Sequence, residues 1–254
     1  MFEEAVIRQH ILPNRSIERF CSGDPPKVEV LLLKHGKLLS LDSKSGPFYA
    51  TRKWDEGIER AAYKFETDFQ ILADRICQDL MVLDETHWRT INNFYAILGE
   101  RSRARYVALP TESRLENLSP GSSKPKKELD DLERDSIFLS GDPAQANRGV
   151  IGFAQRLALG AAQRSNAPWG IARSAEREFL VSDCFHLTAR IPLSPRIYLE
   201  RRPLSLEKTQ HSRQLTGNQV VAFNQDVFNE AEESVFARKF AKAGLLVDQR
   251  PAKP

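Results

Sequence analysis

The chain has 254 residues, 41% of them hydrophobic and 28% charged, with a net charge of +3. That length fits one large domain or two small ones, and a core of this size needs no metal or disulfide to hold it. The balance excludes a disordered or fibrous chain, no apolar run nears the ~20 residues of a membrane span, and residues 1–8 are too acidic for a signal peptide. Cys21, Cys77 and Cys184 lie far apart and make neither a CxxC pair nor a disulfide framework. The expectation is a cytoplasmic protein.

In chain order, Val28, Val30, Leu31, Leu32 and Leu33 read as a strand buried on both faces, and Leu38, Leu39 and Leu41 as its partner. His35-Gly36 between them suits a tight turn. Ile58, Ala62, Phe65, Phe69, Leu72, Ile76, Leu80 and Leu83 recur at steps of three and four, the apolar stripe of a long amphipathic helix. Asp84 is placed to cap a second helix carrying Trp88, Ile91, Tyr95 and Leu98, and a short link makes the pair an antiparallel hairpin. Residues 109–127, rich in Pro, Gly and Ser, read as an irregular, mobile loop.

Residues 147–164 are again helical, with Val150, Phe153, Leu157 and Ala161 expected on the packed side. Short strands follow over 169–172, 179–182 and 196–199. A last helix is expected over 220–240, where Val221, Asn224, Phe228, Ala231, Val235 and Phe236 hold helical spacing, with a frayed tail at 249–254. The layout predicts a single α+β domain over residues 1–254: a small, mainly antiparallel sheet with a helical hairpin packed on it.

Phosphate-loop, dinucleotide, zinc and nucleophile-elbow motifs are missing, which leaves enzymes built from dispersed residues. Arg8-Gln9-His10 joins a histidine to arginines, a pattern suited to acid–base work on an anionic substrate; the plainer reading is a histidine bonded to backbone. Glu59 and Glu66 lie two turns apart on one helical face, within reach of Arg101 and Arg105 at the end of the next helix, and such a meeting is usually structural. Glu176-Arg177-Glu178 before an apolar segment is similar to the ExE of ADP-ribosyltransferases, without the arginine and Ser-Thr-Ser elements that should precede it. Glu178 and Asp183, five apart, face opposite sides of a regular strand, which disfavours two-metal chemistry from that pair. Basic stretches over 101–127 and 190–213 are candidate phosphate contacts or solvated surface.

Several of these residues together resemble a known family. Arg8-Gln9-His10-Ile11-Leu12-Pro13 with Ile17 and Arg19-Phe20 is similar to the "RQHYVPxxYLRxF" opening of the bacterial domain-of-unknown-function family 4238. Gly36-Lys37-Leu38 with Asp42, Glu59, Tyr63-Lys64-Phe65-Glu66, the segment from Phe94 to Arg101, Phe179-Leu180-Val181-Ser182-Asp183, Pro192-Leu193-Ser194-Pro195 and Asn224 resemble its later motifs, in order. Where that family continues after the aspartate with a polar residue and proline, this chain has Cys184-Phe185. The resemblance implies a set of residues and no reaction.

From residues and resemblance together, the leading expectation is a hydrolase acting on a phosphate-bearing substrate, nuclease-like. In it His10, Asp183 and Glu66 are catalytic, and Arg8, Arg101, Arg105 and Asn224 bind substrate. Asp183 would hold a Mg²⁺ or Mn²⁺ ion if one is used. The alternatives are a non-catalytic nucleic-acid- or protein-binding regulatory protein and an ADP-ribosyltransferase-like enzyme. His10 and Asp183 are expected to share one polar pocket, with Asp183 raising the histidine pKa and Arg101 as counter-charge.

Overall fold

A computed structural model of the chain describes residues 8–51, 53–106, 143–201 and 212–244. The loop expected at 109–127 and the tail at 249–254 lie outside the described residues. Within them the fold is α+β: six helices and three small sheets share one core that includes Ile17, Val30, Trp54, Phe94, Phe179 and Val235. Among the described residues no helix is long and apolar enough to cross a membrane.

Strand β1 (Arg8–His10) pairs antiparallel with β4 (Tyr49–Thr51), His10 opposite Tyr49. The Arg8-Gln9-His10 run is polar for a core strand, yet Gln9 is 1% exposed. Its amide makes burial tolerable: Nε2 donates to the Trp54 carbonyl at 2.9 Å, and Oε1 accepts the Lys53 and Trp54 amides at 2.7 and 3.2 Å. A short helix α1 (Asn14–Glu18) follows β1. β2 (Val28–Leu32) and β3 (Lys37–Leu41) form the expected hairpin, turned at Gly36 with φ +57°.

Helix α2 (Glu56–Gln78) starts at Asp55, whose side chain accepts the Ile58 amide at 2.9 Å, and buries Ile58, Ala62, Phe69, Leu72 and Ile76. It stops where Asp79 turns to φ 143°, so Leu80 and Leu83 pack beyond it. α3 (Glu85–Tyr106) begins behind Asp84, which accepts the His87 amide at 2.9 Å. The two helices run antiparallel, with Phe69 stacked on Phe94 at a centroid distance of 3.7 Å.

Helix α4 (Pro143–Gln163) packs its other face from the one expected. Val150, Phe153 and Leu157 are 47%, 59% and 59% exposed, while Ile151, Gln155, Leu159 and Ala162 are buried. The rotation is set by polar contacts. Asp55 pairs with Arg156 at 2.9 Å, and Gly152 faces the same carboxylate so closely that a Cβ there would stand 1.6 Å from Asp55 Oδ2.

The remainder alternates strands and helices: β5 (Trp169–Ser174), β6 (Val181–Ser182), β7 (Arg190–Ser194), β8 (Ile197–Arg201), β9 (Ser212–Leu215), α5 (Gly217–Glu230), β10 (Ser234–Ala237) and α6 (Phe240–Ala243). One sheet runs β3-β2-β10-β6 and another β7-β8-β5-β9, the β5–β9 pair being parallel. The long last helix expected over 220–240 therefore ends at Glu230. Val235 and Phe236 belong to β10, which pairs with β2 on one side and β6 on the other. Both of that strand's ladders are long-range, so the local helical spacing could not reveal it.

Candidate functional site

The helical hairpin delivers a buried guanidinium to its partners. Arg101, at 2% exposure, sits on the inner face of α3 one turn beyond Ile97. Its NH2 meets Glu59 Oε2 at 3.0 Å and its NH1 pairs with Glu66 Oε1, so the two α2 carboxylates flank one arginine as the spacing predicts. The guanidinium also lies 5.3 Å from the Trp54 ring centroid, and Trp54 Nε1 donates to Glu59 Oε2 at 2.5 Å. Burial pushes the Glu66 carboxyl above its usual range, an effect that the Arg101 charge opposes and Glu59 reinforces.

His10 belongs to this neighbourhood. Burial and then the Arg101 charge lower its pKa from 6.5, with Glu59 pulling the other way. Its Nε2 is buried with no hydrogen-bond partner among the described residues, and the same holds for Arg101 Nε and for both amide atoms of Gln155. The direction is opposite to the one expected: Asp183 is not among its causes, and the lowering comes from burial and from the Arg101 and Lys44 charges.

Asp183 is instead the centre of a second, saturated knot. Its oxygens accept the backbone amides of Glu232, Glu233 and Ser234 at 3.0, 2.8 and 2.7 Å and the Tyr106 hydroxyl at 2.8 Å. Its carbonyl accepts Ser102 Oγ at 3.0 Å, and that hydroxyl accepts the Phe185 amide and lies 3.0 Å from His186 Nδ1. Arg105 flanks the knot, bonding the Pro47 carbonyl at 2.7 Å and Glu233 at 2.6 Å. Beside it lies a mostly apolar pocket of about 20 Å³ lined by residues including Ile11, Leu12, Phe48, Phe236, Asp183 and Arg105; His10 is not part of the lining. The shared His10–Asp183 pocket is therefore replaced by two centres on α3. Arg101 serves one, and Ser102, Arg105 and Tyr106 serve the other.

Three further residues singled out from the sequence have structural work. Asn224 is 0% exposed, and its amide bonds Leu180 N, Glu178 O and Ala243 O, each at 2.9 Å. It clamps three chain segments, α5 included, from a place closed to solvent. Glu176 accepts the Gly217 amide at 2.9 Å at the start of α5, and the fully buried Glu178 pairs with Arg238, so both carboxylates of the ExE pattern are engaged in holding the fold. Arg8 contributes its backbone to β1, and nothing is described of its side chain.

The described arginines of the two basic stretches are largely compensated. Arg103 meets Glu100 at 3.2 Å, Arg190 meets Asp226 at 3.5 Å, and Arg213 forks onto Glu200 at 2.6 and 2.5 Å. Asp183 does not fit a divalent cation, since its oxygens are filled by N–H and O–H donors, and no group of three or more His, Cys, Asp or Glu among the described residues is arranged to hold one. What the Arg101 centre offers chemically is a buried cation between two acids, one of them with a raised pKa, beside an imidazole held toward its neutral form. Sequence reasoning missed Trp54, Gln9 and Gln155. The polar positions on otherwise apolar helix faces were the signal available for Gln155. No protein-family model, curated protein or solved structure matches the chain.

Proposed function

We propose that this protein is a hydrolase of phosphate-bearing substrates that works without a metal, with His10, Glu66 and Arg101 as its working groups. The observation that carries the reading is the buried Arg101 guanidinium held between Glu59 and Glu66, near an imidazole whose Nε2 has no partner among the described residues; burial shifts His10 down and Glu66 up. The raised Glu66 moves toward the range where an acid can act near neutral pH, while the lowered His10 stays in the neutral form that can accept a proton. His10 Nε2, neutral and unpartnered, takes a proton from water as the water oxygen bonds to phosphorus. The bond from phosphorus to the leaving oxygen breaks, protonated Glu66 gives that oxygen its proton, and Arg101 balances the charge of the transition state. Protonation of Glu66 also loosens its hold on Arg101, freeing the cation for the phosphoryl group. The motif resemblance supports the same residues and adds no chemistry.

The test is hydrolysis of p-nitrophenyl phosphate, bis-p-nitrophenyl phosphate, DNA and RNA in excess EDTA. Turnover by the folded protein, reduced by about 10²-fold or more in His10→Ala and in Glu66→Gln, is expected. Turnover that needs Mg²⁺ or Mn²⁺, or none with any substrate, overturns the reading. A second reading, a protein-binding regulatory module, is favoured by the exposed ridge Val150, Phe153 and Leu157 on α4. It predicts a folded protein without turnover that loses a partner on Phe153→Asp.

A further inference from the structure

The unmatched groups around Arg101 define what the site recognises. Helices α3 and α4 run antiparallel: Asn92 Nδ2 donates to the carbonyls of Ser165 and Ala167 at 3.1 and 3.3 Å, while further along α3 Ile97 packs in one cluster with Ala62 of α2 and Leu159 of α4. One turn on, the same register carries α3 from Ile97 to Arg101, α2 from Ala62 back to Glu59, and α4 from Leu159 back to Gln155. Gln155 lies on the buried face of α4 between Ile151 and Leu159, at 0% exposure. The Asp55–Arg156 pair and the Gly152 contact hold that face inward. The layer of three helices at this height is therefore Arg101, Glu59 and Gln155.

Both amide atoms of Gln155 and Arg101 Nε have no partner among the described residues. A buried primary amide left this way is costly, and nothing apolar can satisfy it. Gln155 presents an N–H donor and a C=O acceptor together, while Arg101 adds donors only.

We infer that Gln155 and Arg101 bind a phosphoryl group that carries one proton, which makes the site selective for phosphate monoesters and inorganic phosphate over diesters. An unesterified oxygen accepts from Arg101 Nε and from the Gln155 amide N–H, and the P–O–H group donates to Gln155 Oε1. A diester has no such hydrogen and leaves Oε1 unmatched in a buried place. Discrimination of this kind, where a buried polar group is left unpaired by the wrong ligand, is steep. Entry is from the side of Glu59 and Glu66, whose side chains are 26% and 19% exposed, with the Glu66 arm swinging off Arg101. The inference deepens the hydrolase reading and takes the phosphoryl group from it, while its test reads binding rather than turnover.

Inorganic phosphate near pH 6 and dimethyl phosphate are titrated separately into ¹⁵N-labelled full-length protein, following the Gln155 side-chain amide signals. Saturable shifts with phosphate, at least tenfold weaker binding of dimethyl phosphate, and a tenfold or greater loss of phosphate affinity in Gln155→Leu are expected. Gln155 signals unmoved by phosphate, or equal binding of the diester, overturn the inference. So does a Gln155→Leu variant that is more stable than the parent and binds phosphate equally well, since the amide would then be only a water-satisfied core polar group. Phosphate binding at Gln155 without turnover of any ester would sink the hydrolase reading and leave this one standing. Turnover of diesters at the rate of monoesters, with Gln155 silent, would do the reverse.

Discussion

Helix α3 presents two buried polar centres within two turns of each other, and they are built on opposite plans. At Asp183 a single carboxylate collects three backbone amides and the hydroxyls of Tyr106 and Ser234, so that its hydrogen-bonding capacity is spent inside the protein. At Arg101 the groups carry charge in excess of their pairing: two acids share one base, and His10 Nε2 and Arg101 Nε stay unmatched among the described residues. A saturated knot fixes the chain, here tying the end of α3 to the start of β10. An unsaturated centre has the capacity to take a ligand, at some loss of stability. Both contain residues of the same motif-bearing segments, so residue type alone does not separate a clamp from a site.

The largest effect is expected at the clamp. Asp183→Ala leaves the amides of residues 232–234 and the Tyr106 hydroxyl without their acceptor, and should lower the unfolding free energy by about 3–5 kcal/mol. Urea denaturation measures it. A loss below about 1 kcal/mol would show that the knot does not hold the fold, and the contrast would collapse.

Next comes Arg101→Leu, which leaves Glu59 and Glu66 as uncompensated partly buried acids. A loss of about 3 kcal/mol at neutral pH is expected from breaking a buried pair, with part of it recovered on acidification as Glu66 protonates. Replacing Glu59 and Glu66 by leucine as well should restore most of the stability, because no buried charge is then left unpaired. If the triple variant is no better than the single one, Arg101 is a clamp like Asp183.

The smallest effect concerns His10 and follows from the sign of its shift. A histidine whose pKa is lowered on folding favours the native state above 6.5 and withdraws that contribution as pH falls through its native value. Stability should therefore decline from pH 7 toward pH 5, and His10→Gln should flatten that decline. By NMR the His10 midpoint should lie below 6.5, move upward in Arg101→Leu, and stay put in Tyr106→Phe, which perturbs only the knot. A midpoint that follows Tyr106→Phe would join the two centres into one.

Periodicity alone located the α2–α3 hairpin, the Asp84 cap, the β2–β3 turn at Gly36 and the facing of Glu59 and Glu66 toward Arg101, because each depends on contacts a few residues apart or on one helical face. The α+β class followed from the order of such elements. Tertiary structure alone decided the rest. The inward face of α4 was chosen by Asp55, which comes from the start of α2, against an apolar stripe that pointed the other way. Val235 and Phe236 became strand because β2 and β6 supplied ladders from distant parts of the chain. The surroundings of His10 and Asp183 were decided by which donors and charges folding brought beside them. A side chain's chemistry is written in its residue type, whereas its pKa and its unspent hydrogen bonds belong to neighbours that only the folded chain assembles.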